Sequence, residues 1–169
     1  MGYELEAELL TVSAIRKDKF KLAGFIDGSQ DFGSLMGVLP AGVTLDCAEV
    51  TQINSTGIKA WMRYFCADDK KGLDIRFESV SIPLVEQLNM FRNFIGHGKV
   101  ISISVPFRCE ACNINFNKVY GVKNALQFKV QGATVPCNKC KGPAKFDDLP
   151  EEYFEFLGRQ GALPPFEAK

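Results

Sequence analysis

Histidine is almost absent: His97 is the only one among 169 residues. That excludes histidine-rich catalytic metal sites and leaves no Ser/His/Asp or Cys/His set for nucleophilic catalysis beyond what this one ring could serve. Its neighbours Gly96 and Gly98 suggest an exposed turn residue. Also missing are a glycine-rich phosphate loop, a paired-carboxylate motif and any run near the ~18 apolar residues of a membrane span. Asp46 and Glu49 are close in sequence, but on a strand an offset of three puts them on opposite faces. The chemistry of an enzyme is therefore not expected. The first residues, Met1-Gly2-Tyr3-Glu4-Leu5-Glu6, lack the basic start and apolar run of a secretory signal, and a cytoplasmic protein is expected.

Net charge is absent too, yet its zero is a cancellation. Residues 1–106 carry −2 and residues 147–169 carry −4. Residues 107–146 carry +6, with Arg108, Lys118, Lys123, Lys129, Lys139, Lys141 and Lys145 opposed by Glu110 alone. A basic segment raises nucleic-acid binding as an alternative function. The same segment holds four cysteines, and four thiolates around one divalent ion leave about −2 for those lysines to offset.

What the sequence does have is six cysteines and fourteen Phe, with 46% apolar residues, enough for a sizeable core. Without a secretory signal, six cysteines argue for metal or redox chemistry rather than a disulfide framework. Cys109-Glu110-Ala111-Cys112 and Cys137-Asn138-Lys139-Cys140 form two CxxC pairs. Each CxxC turn aims two sulfurs at one metal, so together they complete a tetrahedral shell; zinc is the expected ion and the site is closed, hence structural. A redox dithiol would place a single CxxC at a helix start instead. Cys47 and Cys66 sit singly in apolar patterns and are expected to be buried.

Periodicity supplies the frame. Thr11–Ile15 and Phe20–Ile26 alternate around the charged turn Arg16-Lys17-Asp18-Lys19, which predicts a β-hairpin. A short helix is expected over 31–38 and strands over Val43–Val50, Leu73–Val80 and Val100–Val105. Asn54 and Ser55 offer N-cap chemistry, and Ile58, Trp61, Met62 and Phe65 make one apolar stripe of a helix that Gly72 closes. Pro83 opens a second helix (83–94) bearing Leu84, Val85, Leu88 and Phe91 on one face. Phe116–Tyr120 and Leu126–Val130 alternate like the arms of a hairpin between the CxxC pairs. In the tail, Pro150 starts a short helix whose Leu149, Tyr153 and Phe156 are expected to cover the ribbon or the sheet. The division is 1–106 as an α/β domain, 107–146 as a ribbon and 147–169 as a short helix and tail. Only Pro106-Phe107-Arg108 separate the last strand from Cys109, so the ribbon should dock rigidly.

One phrase is recognisable. Val43-Thr44-Leu45-Asp46 followed by Asn54-Ser55-Thr56-Gly57-Ile58 resembles the strand-and-turn signature of the STAS domain of sulphate transporters and bacterial anti-sigma-factor antagonists. Leu73–Phe77 and Ser81-Ile82-Pro83-Leu84-Val85 extend it, and Phe25-Ile26-Asp27 fall loosely at a further family phrase. The chain is also similar to STAS-like proteins of myxobacteria and related predatory bacteria that carry a cysteine ribbon. The resemblance covers roughly residues 10–105 and implies a mixed sheet with helices mainly on one face. It further implies a bacterial regulatory module without enzymatic activity, which binds a protein partner such as a serine kinase that acts as an anti-sigma factor. By position, Ser55 would be the phosphoacceptor and Asn54, Thr56 and Lys59 its surroundings on the partner surface. Where the family has Asp, this chain has Asn54. Phosphorylation of Ser55 and plain helix capping by Asn54 and Ser55 both fit the turn.

Overall fold

The computed structural model describes residues 8–129 and 132–159; Val130 and the tail beyond residue 159 lie outside them. The chain folds as mixed α/β with two sheets. The expected hairpin forms from β1 (Thr11–Arg16) and β2 (Lys19–Ile26). Beyond it, β3 (Val43–Ile53), β4 (Ile75–Glu78) and β5 (Lys99–Val100) add in parallel, giving the order β1-β2-β3-β4-β5.

Parallel neighbours need crossovers, and three helices provide them. α1 (Phe32–Met36) is capped by Asp31, whose carboxylate accepts the N–H groups of Gly33 and Ser34. α2 (Ser55–Phe65) follows β3 directly, and α3 (Ile82–Met90) follows β4 with Pro83 in its first turn. The stripe on α2 works as its spacing implies: Trp61 and Phe65 are fully buried, with Ile58 and Met62 half-buried beside them. Trp61 stacks on Phe94 at 5.4 Å, and Phe65 meets Phe77 of β4 edge-on at 5.1 Å. This aromatic cluster lies between α2 and the first sheet, within one continuous core that also takes in Phe107 and Phe128.

The second sheet is built from β6 (Ser102–Cys109), β7 (Ile114–Gly121), β8 (Thr134–Pro136) and β9 (Pro143–Phe146), in the order β7-β6-β9-β8. α4 (Val122–Ala125) and a 3₁₀ turn over Leu126–Lys129 cross between its halves. α5 (Pro150–Tyr153) and α6 (Glu155–Arg159) are the last of the described elements.

Several expectations change in the tertiary structure. Val100–Val105 is not one strand of the first sheet: Lys99–Val100 pairs with β4, while residues from Ser102 onward belong to the second sheet. The step between them is pinned at Val80, which donates to the Ser102 carbonyl at 3.0 Å and accepts from the Ser104 N–H at 2.9 Å. The second helix ends at Met90 rather than 94, and tight turns carry the chain onward while still burying Phe94. Leu126–Lys129 is a 3₁₀ turn and not a hairpin arm, because Phe128 turns inward onto Phe107 (5.1 Å) and Tyr120 (4.9 Å). β9 instead lies beside β6, and β8 beside β9. Cys47 is buried, but Cys66 is exposed at the end of α2, its sulfur 3.1 Å from the Asn93 carbonyl. In the tail, Tyr153 and Phe156 are buried as expected, joined by Phe154 and Leu157, whereas Leu149 is 60% exposed.

Candidate metal centre

Four elements deliver the cysteines. Cys109 ends β6, Cys112 lies in the turn to β7, Cys137 follows β8 and Cys140 precedes β9. Antiparallel pairing of β6 with β9 brings Arg108 opposite Lys145 and so draws the two CxxC turns to the same end of the sheet. There the four sulfurs lie within 4.8 Å of one another, and those of Cys109 and Cys140 are 3.7 Å apart. Cys109 and Cys137 are buried, Cys112 is half-buried and Cys140 is exposed. The cluster therefore sits under the surface at one tip.

The two turns repeat one local geometry. Each is followed by a residue in the left-handed region, Asn113 at φ 51° and Lys141 at φ 64°. That bend folds the backbone back over the first cysteine of its pair. The N–H of Cys112 reaches the Cys109 sulfur, and the N–H of Cys140 reaches the Cys137 sulfur. Lys139 N–H adds a second donor to Cys137 at 3.3 Å. Donors aimed at sulfur favour the thiolate, so the Cys140 and Lys139 N–H groups pull the Cys137 thiol down to about 6. Cys112 is pushed up to about 12 by its contact with the Cys140 thiol and by burial. Crowded sulfurs share protons, and a cation bound among them displaces those protons.

The surrounding basic residues are drawn into the ribbon itself. Lys145 pairs with Glu110 at 3.0 Å and Lys118 donates to the Pro136 carbonyl at 3.0 Å. Arg108 donates to the Asn113 side chain at 3.2 Å and Lys141 to the Asn138 carbonyl at 3.2 Å. The four cysteines can hold a metal ion, and all four sulfurs come from the protein.

The turn at Asn54 lies on the first sheet, away from the cysteines in sequence. Asn54 is the N-cap of α2, its side-chain carbonyl accepting the Gly57 N–H at 2.8 Å. Ser55 is the first helical residue, exposed along with Asn54, Thr56 and Lys59. Gly57 is buried against β2, where an added Cβ would stand 2.0 Å from the Ile26 carbonyl oxygen. A Cβ added at Gly28, φ 82°, would stand 2.6 Å from the Thr56 backbone, so the loop after β2 is pressed onto the start of α2. His97 is exposed in the turns after α3.

One feature escaped sequence reasoning: a cleft of about 540 Å³ between the segment 28–33, which runs from the loop after β2 into α1, and α2 with the turn after it, lined by Arg63, Tyr64 and Lys70 among others. Arg63 and Tyr64 lie off the apolar stripe, and only the folded loop makes a wall facing them. No helix among the described residues is long and apolar enough to cross a membrane. Comparison with protein-family models, curated proteins and solved structures gives no match.

Proposed function

We propose that this chain is a non-enzymatic regulatory module of STAS-like type. In this reading it docks a protein partner through the start of α2, is controlled by phosphorylation of Ser55, and is braced by one structural zinc ion at Cys109, Cys112, Cys137 and Cys140. The observation that carries it is a division of labour in the turn. Asn54 alone supplies the side-chain cap, with its carbonyl on the Gly57 N–H. Ser55 is left exposed in the first helical position and is not needed as the cap. A phosphate there would meet the free N–H groups and positive end of an eleven-residue helix while placing nearly two negative charges on the surface. Gly57 wedged against Ile26 holds the turn in place, so the added charge would alter docking rather than the fold.

Zinc is favoured by the donor set and its spacing. A tetrahedral Zn–S shell of ~2.3 Å bonds has sulfurs about 3.8 Å apart, close to the 3.7 Å between Cys109 and Cys140. All-thiolate tetrads favour zinc, with iron the realistic substitute. With four protein ligands no position remains for water, which suits a brace. Nucleic-acid binding through the basic ribbon is the competing function, and its affinity would fall steeply with salt.

The test is incubation of the full chain with host extract and ATP, followed by phosphosite mapping and partner capture, with Ser55→Ala in parallel. Phosphate at Ser55 that releases a specific protein supports the reading. An unmodified Ser55 together with salt-sensitive nucleic-acid binding replaces it.

A further inference from the structure

The four cysteines of the metal centre are not equivalent. Cys109 and Cys137 are fully buried, and Cys112 is half-buried in its turn. Cys140 is exposed, between two exposed lysines, Lys139 and Lys141. The residue placed to cover its sulfur is Gly142, which has no side chain. A Cβ there would stand 3.3 Å from the Cys140 sulfur, so any larger residue would crowd the very side that glycine leaves open.

Oxidation of sulfur follows thiolate character and access. A cysteine that ligates a metal is already deprotonated, so among the four sulfurs access decides which one an oxidant meets. A second thiol must then stand close by to turn the first oxidised product into a disulfide. The Cys109 sulfur, 3.7 Å from that of Cys140, is in that position. It comes from the other CxxC turn, so a bond between the two ties the end of β6 to the start of β9. Those strands already lie side by side at Arg108 and Lys145. Cys137 shares a CxxC with Cys140, but its buried sulfur is held by the Lys139 N–H at 3.3 Å.

We propose that Cys140 is an oxidation site at which a peroxide opens the metal centre reversibly, with Cys109 as the resolving cysteine. The proposal rests on the four-cysteine zinc site put forward above. The Cys140 thiolate attacks the O–O bond, takes one oxygen as a sulfenic acid and releases hydroxide. The Cys109 thiolate then attacks the Cys140 sulfur, forming the S–S bond and releasing the second hydroxide. Two protons from solvent turn both hydroxides into water; the peroxide gains two electrons and the two sulfurs lose them. Cys112 and Cys137 alone cannot complete a four-sulfur shell, so the ion leaves. The disulfide then takes over the link between the two CxxC turns, and a thiol reductant restores the four ligands.

The experiment treats the zinc-loaded full chain with excess hydrogen peroxide. Released zinc is followed with a colorimetric chelator, and peptides are mapped by mass spectrometry with and without dimedone to trap sulfenic acid. About one zinc per chain should be released. Dimedone should mark Cys140 about ten-fold more than Cys109, Cys112 or Cys137, and without it the map should show a Cys109–Cys140 disulfide. Dithiothreitol followed by added zinc should restore the metal content. Cys66→Ser removes the exposed thiol outside the centre and should leave the release rate unchanged. Zinc that stays bound through peroxide treatment overturns the proposal. So does trapping first at another of the four sulfurs, a disulfide within either CxxC pair, or release that Cys66→Ser slows. A chain that takes up no zinc before peroxide is added overturns the metal reading itself, so the two failures are told apart.

Discussion

The Tyr153 hydroxyl donates to the Ser104 carbonyl at 2.5 Å, tying the last helices to the strand that ends in Cys109. Asn89 on α3 completes the clasp, donating to the Tyr153 carbonyl at 3.0 Å and accepting the Phe156 N–H at 2.9 Å. Both sheets are thereby fastened to one C-terminal segment. Tyr153→Phe leaves a buried carbonyl without its donor and should cost about 1–2 kcal/mol. A melting curve should show a drop of roughly 2–8 °C. An unchanged midpoint would mean that the clasp contributes nothing.

The four sulfurs predict a metal-dependent fold. Atomic absorption on the purified chain should find about one zinc per chain, and Cys137→Ser should hold far less. Chelation should lower the melting temperature by about 10 °C, from a loss on the order of 3–4 kcal/mol. Hydrogen exchange should place the loss first in β6–β9. A chain that melts identically with and without chelator would remove the structural role of the ion.

Gly57→Ala tests how closely α2 lies on β2. The new methyl would stand 2.0 Å from the Ile26 carbonyl oxygen, a backbone atom that cannot swing aside. Destabilisation of about 2–4 kcal/mol is expected in chemical unfolding. Gly158→Ala, where an added Cβ meets nothing within 4 Å, is the matched control.

Ser55→Asp separates surface from fold. The residue is exposed at the first turn of α2, where a negative charge meets the positive helix end. Stability should stay the same or rise by about 0.5 kcal/mol, while partner capture falls. A large loss of stability would show that Ser55 serves the fold instead.

Acid should loosen α1. The Ser34 hydroxyl, then the Ser34 and Gly33 N–H groups, hold the Asp31 carboxyl below its ordinary 3.8. A lowered value means stability that is present above 3.8 and lost as pH falls through the folded-state value. Asp31→Asn keeps a capping oxygen but cannot titrate, so its stability should decline less steeply than wild type below pH ~4 in urea titrations. Parallel declines would assign the acid sensitivity elsewhere.

Local sequence determined much of this protein. The CxxC pairs announce the cysteine cluster because their spacing alone turns two sulfurs the same way. The stripe Ile58, Trp61, Met62 and Phe65 announces α2 because a 3.6-residue period over eight positions fits little else. The first hairpin is legible because a charged turn separates two alternating runs. Tertiary structure decided what short patterns leave open. Alternation over Leu126–Lys129 fits a strand, yet β6 is flanked by β7 and β9, and Phe128 gains more by turning in toward Phe107. Val100–Val105 reads as one strand, but which sheet it joins depends on the Val80 backbone, which no local pattern encodes. Cys66 and Leu149 are exposed because burial of a single apolar side chain depends on what the rest of the chain places above it. The cleft beside Arg63 is of the same kind: its walls come from segments thirty residues apart, and only folding makes them face each other.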